Sequence, residues 1–226
     1  MSRYHPLAEC ERCPLYREHT YVPSYIPENS NGIAVVGEAP GAYEHRSGVP
    51  FTGESGKLLN VVLKANGIER NETLLTNACS CRPENNDTPP KEAIAACKPR
   101  LINELQENSI SKAIATGNSA TESILGKTGI TKARIGPPKE IDLGYGRVSV
   151  IPTFHPAAAL RQGTFLPYIV SDFAKLNGTA RVWTPPQFKV CRTVEDSIAT
   201  MDAVQATNPE VLVIDIENDT FEDKDT

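Results

Sequence analysis

Four short apolar runs, Ile33 to Val36, Leu74 to Ala78, Ala113 to Thr116 and Val148 to Phe154, alternate with stretches whose apolar residues recur at helical spacing. That alternation constrains the fold more than any other feature of the chain. Strands joined through helices must cross over and lie parallel, with helices covering both faces of the sheet. Ser55 to Asn66 is a predicted helix: Ser55 can cap it, Leu58, Leu59, Val62 and Leu63 share a stripe, and Gly67 can end it. A second is predicted from Pro89-Pro90 to about Glu107, with Ile94, Cys97, Leu101 and Leu105 aligned. A third follows Gly117-Asn118, and a fourth runs from about Pro167 to Asn177. The expected architecture is α/β, a three-layer α/β/α sandwich around a central four-stranded parallel sheet.

In such a sheet ligands gather at the carboxyl ends of the strands. Those ends are Gly37-Glu38-Ala39-Pro40-Gly41, Asn77 to Arg82, Gly117-Asn118-Ser119 and His155-Pro156, the most chemically distinctive stretches of the chain. The glycines of the first allow close backbone approach to a ligand, but neither GxGxxG nor GxxxxGK[ST] is present, so dinucleotide and P-loop readings lose support. Phe51, on the stiff Ser47 to Gly53 loop, is either a plug under a turn or a flat platform for a base. Asn77 can offer one acceptor and two donors to the edge of a heterocycle, although an Asn at a strand end is also a common turn former. Among the four histidines only His155 closes a predicted strand.

Net charge is −5 over 226 residues, which at first argues against a nucleic-acid partner. The charge is uneven, however: residues 209–226 hold seven acids and one base, leaving 22 bases and 21 acids in the rest. A nearly neutral body can carry a local basic groove. No apolar run approaches the roughly 20 residues of a membrane span, and the start has no secretory apolar core, so a soluble, cytoplasmic, reduced protein is expected.

Six cysteines stand at 10, 13, 79, 81, 97 and 191. Cys10-x-x-Cys13 reads as metal or cluster ligation, because a redox CxxC expects a strand before it and none precedes Cys10. Cys81 and Cys97 could complete a set of four. Zinc and iron–sulfur clusters both favour soft sulfur, and spacing does not choose between them. Cys79 and Cys191 have no spaced partners and read as ordinary core or surface residues.

Taken in order, these motifs resemble the family 4, iron–sulfur-containing uracil-DNA glycosylases from Cys10 to about Lys175. The resemblance rests on Cys10-x-x-Cys13, GEAPGAYE at 37–44, GVPFTGESGKLL at 48–59, TNACSCRPENN at 76–86 with Cys97, and FHPAAALR at 154–161. It implies a [4Fe–4S] cluster on Cys10, Cys13, Cys81 and Cys97, leaving Cys79 outside. It also implies a monomer that acts on uracil-containing DNA, with no membrane partner, and hydrolyses the N-glycosidic bond of flipped-out deoxyuridine to start base excision repair. On that reading Phe51 stacks on the extruded base and Asn77 pairs with its O4 and N3 edge. Ala39, Pro40 and Gly41 line the pocket, with the 39–44 loop excluding the thymine methyl. His155 donates to O2, and Glu38 positions the attacking water, with Glu44 as the alternative. Arg82, Lys91, Lys98 and Arg161 are candidate backbone contacts. Two departures from the family pattern are His45, where an acid is usual, and Val49, where an Arg is usual. The long Arg- and His-bearing insertion of the variant that bonds uracil covalently is absent.

The periodic pattern stops at Trp183-Thr184-Pro185-Pro186. Residues 1–182 are thus expected to form the glycosylase domain, and 183–226 a linker with the start of an incomplete 3′–5′ exonuclease-like domain. Val211 to Glu217 resembles the first motif of polymerase exonuclease domains, with Asp215 and Glu217 on one face of a strand. A fusion with a DNA polymerase follows as an expectation. Two rival readings are a non-catalytic uracil-sensing or DNA-docking module of a polymerase, and a zinc-stabilised binding domain.

Overall fold

The structure, a computed structural model, describes residues 6–16, 21–178 and 193–206. The chain divides into two compact units, Met1–Thr184 and Pro185–Thr226. In the first, the elements run β1 (Ile33–Gly37), α1 (Ala42–Ser47), α2 (Glu54–Ala65), β2 (Leu74–Asn77), α3 (Lys91–Glu107), β3 (Lys112–Thr116), α4 (Gly117–Leu125), α5 (Ile130–Ala133), β4 (Lys139–Asp142), β5 (Arg147–Thr153), α6 (Pro156–Arg161) and α7 (Leu166–Ala174). The described residues of the second form one helix, α8 (Val194–Ala206). Asp215 and Glu217, on which the exonuclease reading depends, lie outside the described residues, as does Cys191.

The sheet order is β2-β1-β3-β5-β4. The four strands expected from the apolar runs pair in parallel, Val35 standing opposite Leu75 on one side and Ile114 on the other. A fifth, β4, pairs antiparallel with β5 at the edge. Its sequence, Lys-Glu-Ile-Asp, holds a single apolar residue and alternates exposed with half-buried positions, so it lacks the continuous apolar run of a buried strand. Such short charged strands suit a sheet edge, where they discourage further pairing.

Because alternate residues of a strand face opposite ways, the sheet feeds two cores. Val35, Leu75, Ile114 and Ile151 pack under α2 and α7 against Leu59, Val62, Leu63, Ile169 and Phe173. Ala34, Val36, Leu74, Ala113 and Val150 pack against Leu101 and Leu105 of α3 and Ile124 of α4. Both faces are therefore covered and the chemistry is confined to the sheet's ends.

One buried polar hub anchors the carboxyl end of β5. The Asp172 carboxylate, wholly buried, accepts from Arg134 Nε at 2.8 Å, from Thr153 Oγ1 at 2.8 Å and from Lys175 Nζ at 2.8 Å. Arg134 also lies over the rings of Phe154 and Tyr168. A charge taken out of water is tolerated when it is matched in this way, and the match fixes the last residues of β5 just before His155. Among the described residues no helix is long and apolar enough to cross a membrane.

Candidate active site

The loops that follow β1, β2, β3 and β5 enclose a cleft of about 560 Å³ at the carboxyl edge of the sheet. Glu38, Ala39, Pro40 and Gly41 form one wall; Phe51, Asn77 and His155 line the same space. Every non-cysteine residue assigned from the sequence to catalysis or base binding, Glu44 included, therefore lines one cavity, together with Asn118, Phe154 and Arg161. Of the candidate backbone contacts only Arg161 lines it; Arg82 donates instead to Asn86 Oδ1 at 2.7 Å.

His155 caps the amino end of α6, with Pro156 at the first helical position where a missing N–H costs nothing. Its Nδ1 accepts a hydrogen bond from the Ala157 amide at 3.1 Å. That bond requires an unprotonated Nδ1, so the neutral ring carries its hydrogen on Nε2. Burial, aided by the charge of Arg161 and opposed by Glu44, lowers the imidazole pKa to about 4. At neutral pH the ring is an uncharged donor.

Asn77 stands at the last register position of β2, directly opposite Gly37 of β1. The absence of a side chain on Gly37 makes the pocket floor possible. A Cβ there would overlap the Asn77 amide oxygen and stand 2.8 Å from the Phe51 ring. The sequence assigned this glycine to ligand approach; in the structure it makes room for two side chains. Phe51 itself is 6% exposed and has φ +55°, a left-handed backbone rare for a bulky residue. Two contacts hold it there. Arg70 Nη2 donates to the carbonyls of Phe51 at 3.0 Å and Pro50 at 3.2 Å, and the Phe51 carbonyl lies so close to Gly56 that no Cβ would fit between them.

The two candidate carboxylates differ in what they have left to offer. Glu44 Oε2 accepts from the Gly41 amide at 3.1 Å, while Oε1 accepts from Thr52 at 3.0 Å and Gly53 at 2.8 Å. It is a strap between the 38–41 and 51–53 loops, and both its oxygens are engaged. Glu38 accepts from Ser119 Oγ at 2.6 Å through Oε2, and among the described residues its other oxygen has no protein donor. Replacing Glu44 with alanine leaves a buried Gly53 amide and two neighbours without an acceptor. The expected cost is about 2–4 kcal/mol, measured as a lower urea midpoint at unchanged slope.

On the far side of Asn77, Cys10 and Cys13 sit on a short turn that is tied to α3 by the Glu9 amide, which donates to the Ala96 carbonyl at 2.9 Å. Cys10, Cys13, Cys81 and Cys97 line one small cavity with Tyr21, Ser80 and Arg100. Among the described residues no three Cys, His, Asp or Glu side chains are drawn together as the ligands of a single ion. Four soft donors around one cavity suit a cluster, and a buried Arg100 Nε–H that has no hydrogen-bond partner adds a donor in want of an acceptor. Cys79 packs beside Cys97 and hydrogen-bonds to it; that bond, together with burial, pushes the Cys79 thiol pKa up.

Sequence reasoning did not find Gly56, Arg70 or Arg100, gave Ser119 no role beyond its place at a strand end, and missed the strap role of Glu44. Each acts on a residue brought close by folding, and only Glu44, three residues after Gly41 at a helix start, carried a local capping signal.

The chain belongs to the uracil DNA glycosylase superfamily, whose profile matches residues 23–175. Within it, the chain is similar to several type-4 uracil-DNA glycosylases. That of Pyrobaculum aerophilum is 33% identical over 186 residues, covering 79% of this chain and 93% of that protein. That of Archaeoglobus fulgidus is 34% identical over 176 residues, covering 75% and 87%. That of Thermotoga maritima is 37% identical over 155 residues, covering 68% and 79%.

Proposed function

We propose that this protein is a uracil-DNA glycosylase that hydrolyses the N-glycosidic bond of deoxyuridine flipped out of DNA, the first step of base excision repair. The observation that carries the reading is the meeting of Phe51, Asn77 and a neutral His155 in one cleft. A base inside the duplex is out of reach, and extruding it costs a few kcal/mol that a fitted pocket must offset. The Phe51 ring provides the stacking surface and the Asn77 amide reads O4 and N3. Cytosine presents a donor where uracil presents an acceptor, so the same amide rejects it.

Cleavage leaves negative charge on the departing base, and His155 Nε2–H is the donor for O2. Glu38, held by Ser119 through one oxygen, has the other for a water placed to attack the sugar. Cys10, Cys13, Cys81 and Cys97 would hold a [4Fe–4S] cluster, which supplies a covalent tie between the amino-terminal turn and α3 and no redox step. Arg161 at the mouth suits a DNA phosphate. A fusion to a polymerase exonuclease rests on the Asp215 and Glu217 pair alone.

The test is abasic-site formation on single- and double-stranded oligonucleotides that carry uracil, with cytosine and thymine controls. Uracil alone is expected to be cut; tight binding of uracil DNA without cleavage would favour the sensing module instead. The pH profile is a second check. The active ring needs an unprotonated Nδ1, because a proton there would oppose the Ala157 amide. Since the folded pKa is about 4, below the ordinary 6.5, activity should stay level from neutral pH to about 5 and fall with a midpoint near 4. The same shift adds stability that is complete above about pH 6.5 and drains away as the pH falls toward 4.

A further inference from the structure

Arg100 lies on α3 one turn after Cys97 and is wholly buried. A guanidinium in a core is unfavourable unless its donors are matched, and an apolar side chain would fill the space at lower cost. Most of its donors are accounted for. Nη1 donates to Glu104 Oε2 at 2.7 Å and to Thr76 Oγ1 at 2.9 Å; Nη2 donates to the Asn77 carbonyl and, at 3.4 Å, to that of Ala78. The remaining N–H, on Nε, is buried and without a hydrogen-bond partner, and Arg100 lines the cavity shared by Cys10, Cys13, Cys81 and Cys97. One rigid, planar group therefore spans from the backbone of the base-reading residue to the cysteine cavity.

We propose that Arg100 is a positioning residue that registers Asn77 against the cluster, gripping the Asn77 carbonyl through Nη2 and offering Nε–H to the cysteine-held sulfur. The proposal rests on the uracil reading above and deepens it: recognition of the base and the state of the cluster are linked through one side chain. Linkage is reciprocal, so a ligand that orders Asn77 must also change the electrostatics felt at the cluster. Hydrogen bonds to cluster sulfur are among the factors that set its reduction potential.

The experiment is a redox titration of the brown holoprotein with and without free uracil, on wild type and on Arg100→Lys. The lysine keeps a cation beside Glu104 but has no fork to hold both ends. In wild type the midpoint potential should move when uracil binds, and in Arg100→Lys it should not. The uracil dissociation constant of the variant should rise about 10- to 100-fold, as for a misplaced reading group, with the visible absorbance retained. An unmoved wild-type midpoint, or an equal movement in the variant, overturns the proposal. If Arg100→Lys does not fold, the wild-type titration still decides. The double variant Arg100→Met/Glu104→Leu, which leaves no lone buried charge, replaces it for the affinity measurement, and unchanged affinity there overturns the proposal as well. A wild type that is colourless or excises no uracil overturns the functional reading beneath, whereas an active brown wild type with no coupling overturns the Arg100 assignment alone.

Discussion

His155→Ala is expected to lower the rate of uracil excision by about 10²–10³, with KM for uracil DNA little changed. The split follows from where the ring acts. A donor aimed at O2 gains most when charge has moved onto the base, so its loss falls on kcat and not on binding. The fold should tolerate the change, because the wider end of β5 is held by Asp172, Thr153 and Arg134 and not by the imidazole. Single-turnover excision by wild type and variant on one oligonucleotide measures it. A variant within threefold of wild type would remove His155 from the chemistry.

The second large effect is expected from a residue with no chemistry at all. Gly37→Ala places a methyl group inside the van der Waals surface of the Asn77 amide and against the Phe51 ring. Both are boxed in: Phe51 by Gly56 and Arg70, Asn77 by the sheet register and Arg100. Overpacking of this kind costs about 1–3 kcal/mol in stability, and displacing a reading group by about 1 Å costs on the order of 10² in turnover. The prediction is a fall of about 10²–10³ in kcat/KM with a folded protein. Circular dichroism with excision assays separates the two contributions. If Gly37→Ala worked at the wild-type rate, the crowded floor would not be what organises the pocket.

How much of this was legible beforehand varies with the range of the contact. The four parallel strands announce themselves because burial on both faces favours short continuous apolar runs, as in Ile33 to Val36. β4 is silent because its residues only alternate between half-buried and exposed, so it carries no such run. α1 and α6 were missed for a related reason: six residues are too few to establish a stripe. Site residues at strand ends, Asn77 and His155 above all, were readable because topology sends every strand end to one edge. The cysteine set came from spacing joined to resemblance. Arg100 was invisible: an arginine on a helix reads as solvated, and only the fold shows it enclosed among Glu104, Thr76 and the Asn77 carbonyl.

The backbone of Phe51 sets a conflict between durability and purpose. Holding a non-glycine residue at φ +55° works against the native state by about 1–3 kcal/mol. A glycine at that position would relax the loop and forfeit the ring proposed to carry the extruded base. Laboratory evolution that rewards heat tolerance alone should therefore drift toward glycine at residue 51 and yield sturdier, inert progeny. Screens for a hardier catalyst must keep excision as a co-selected trait.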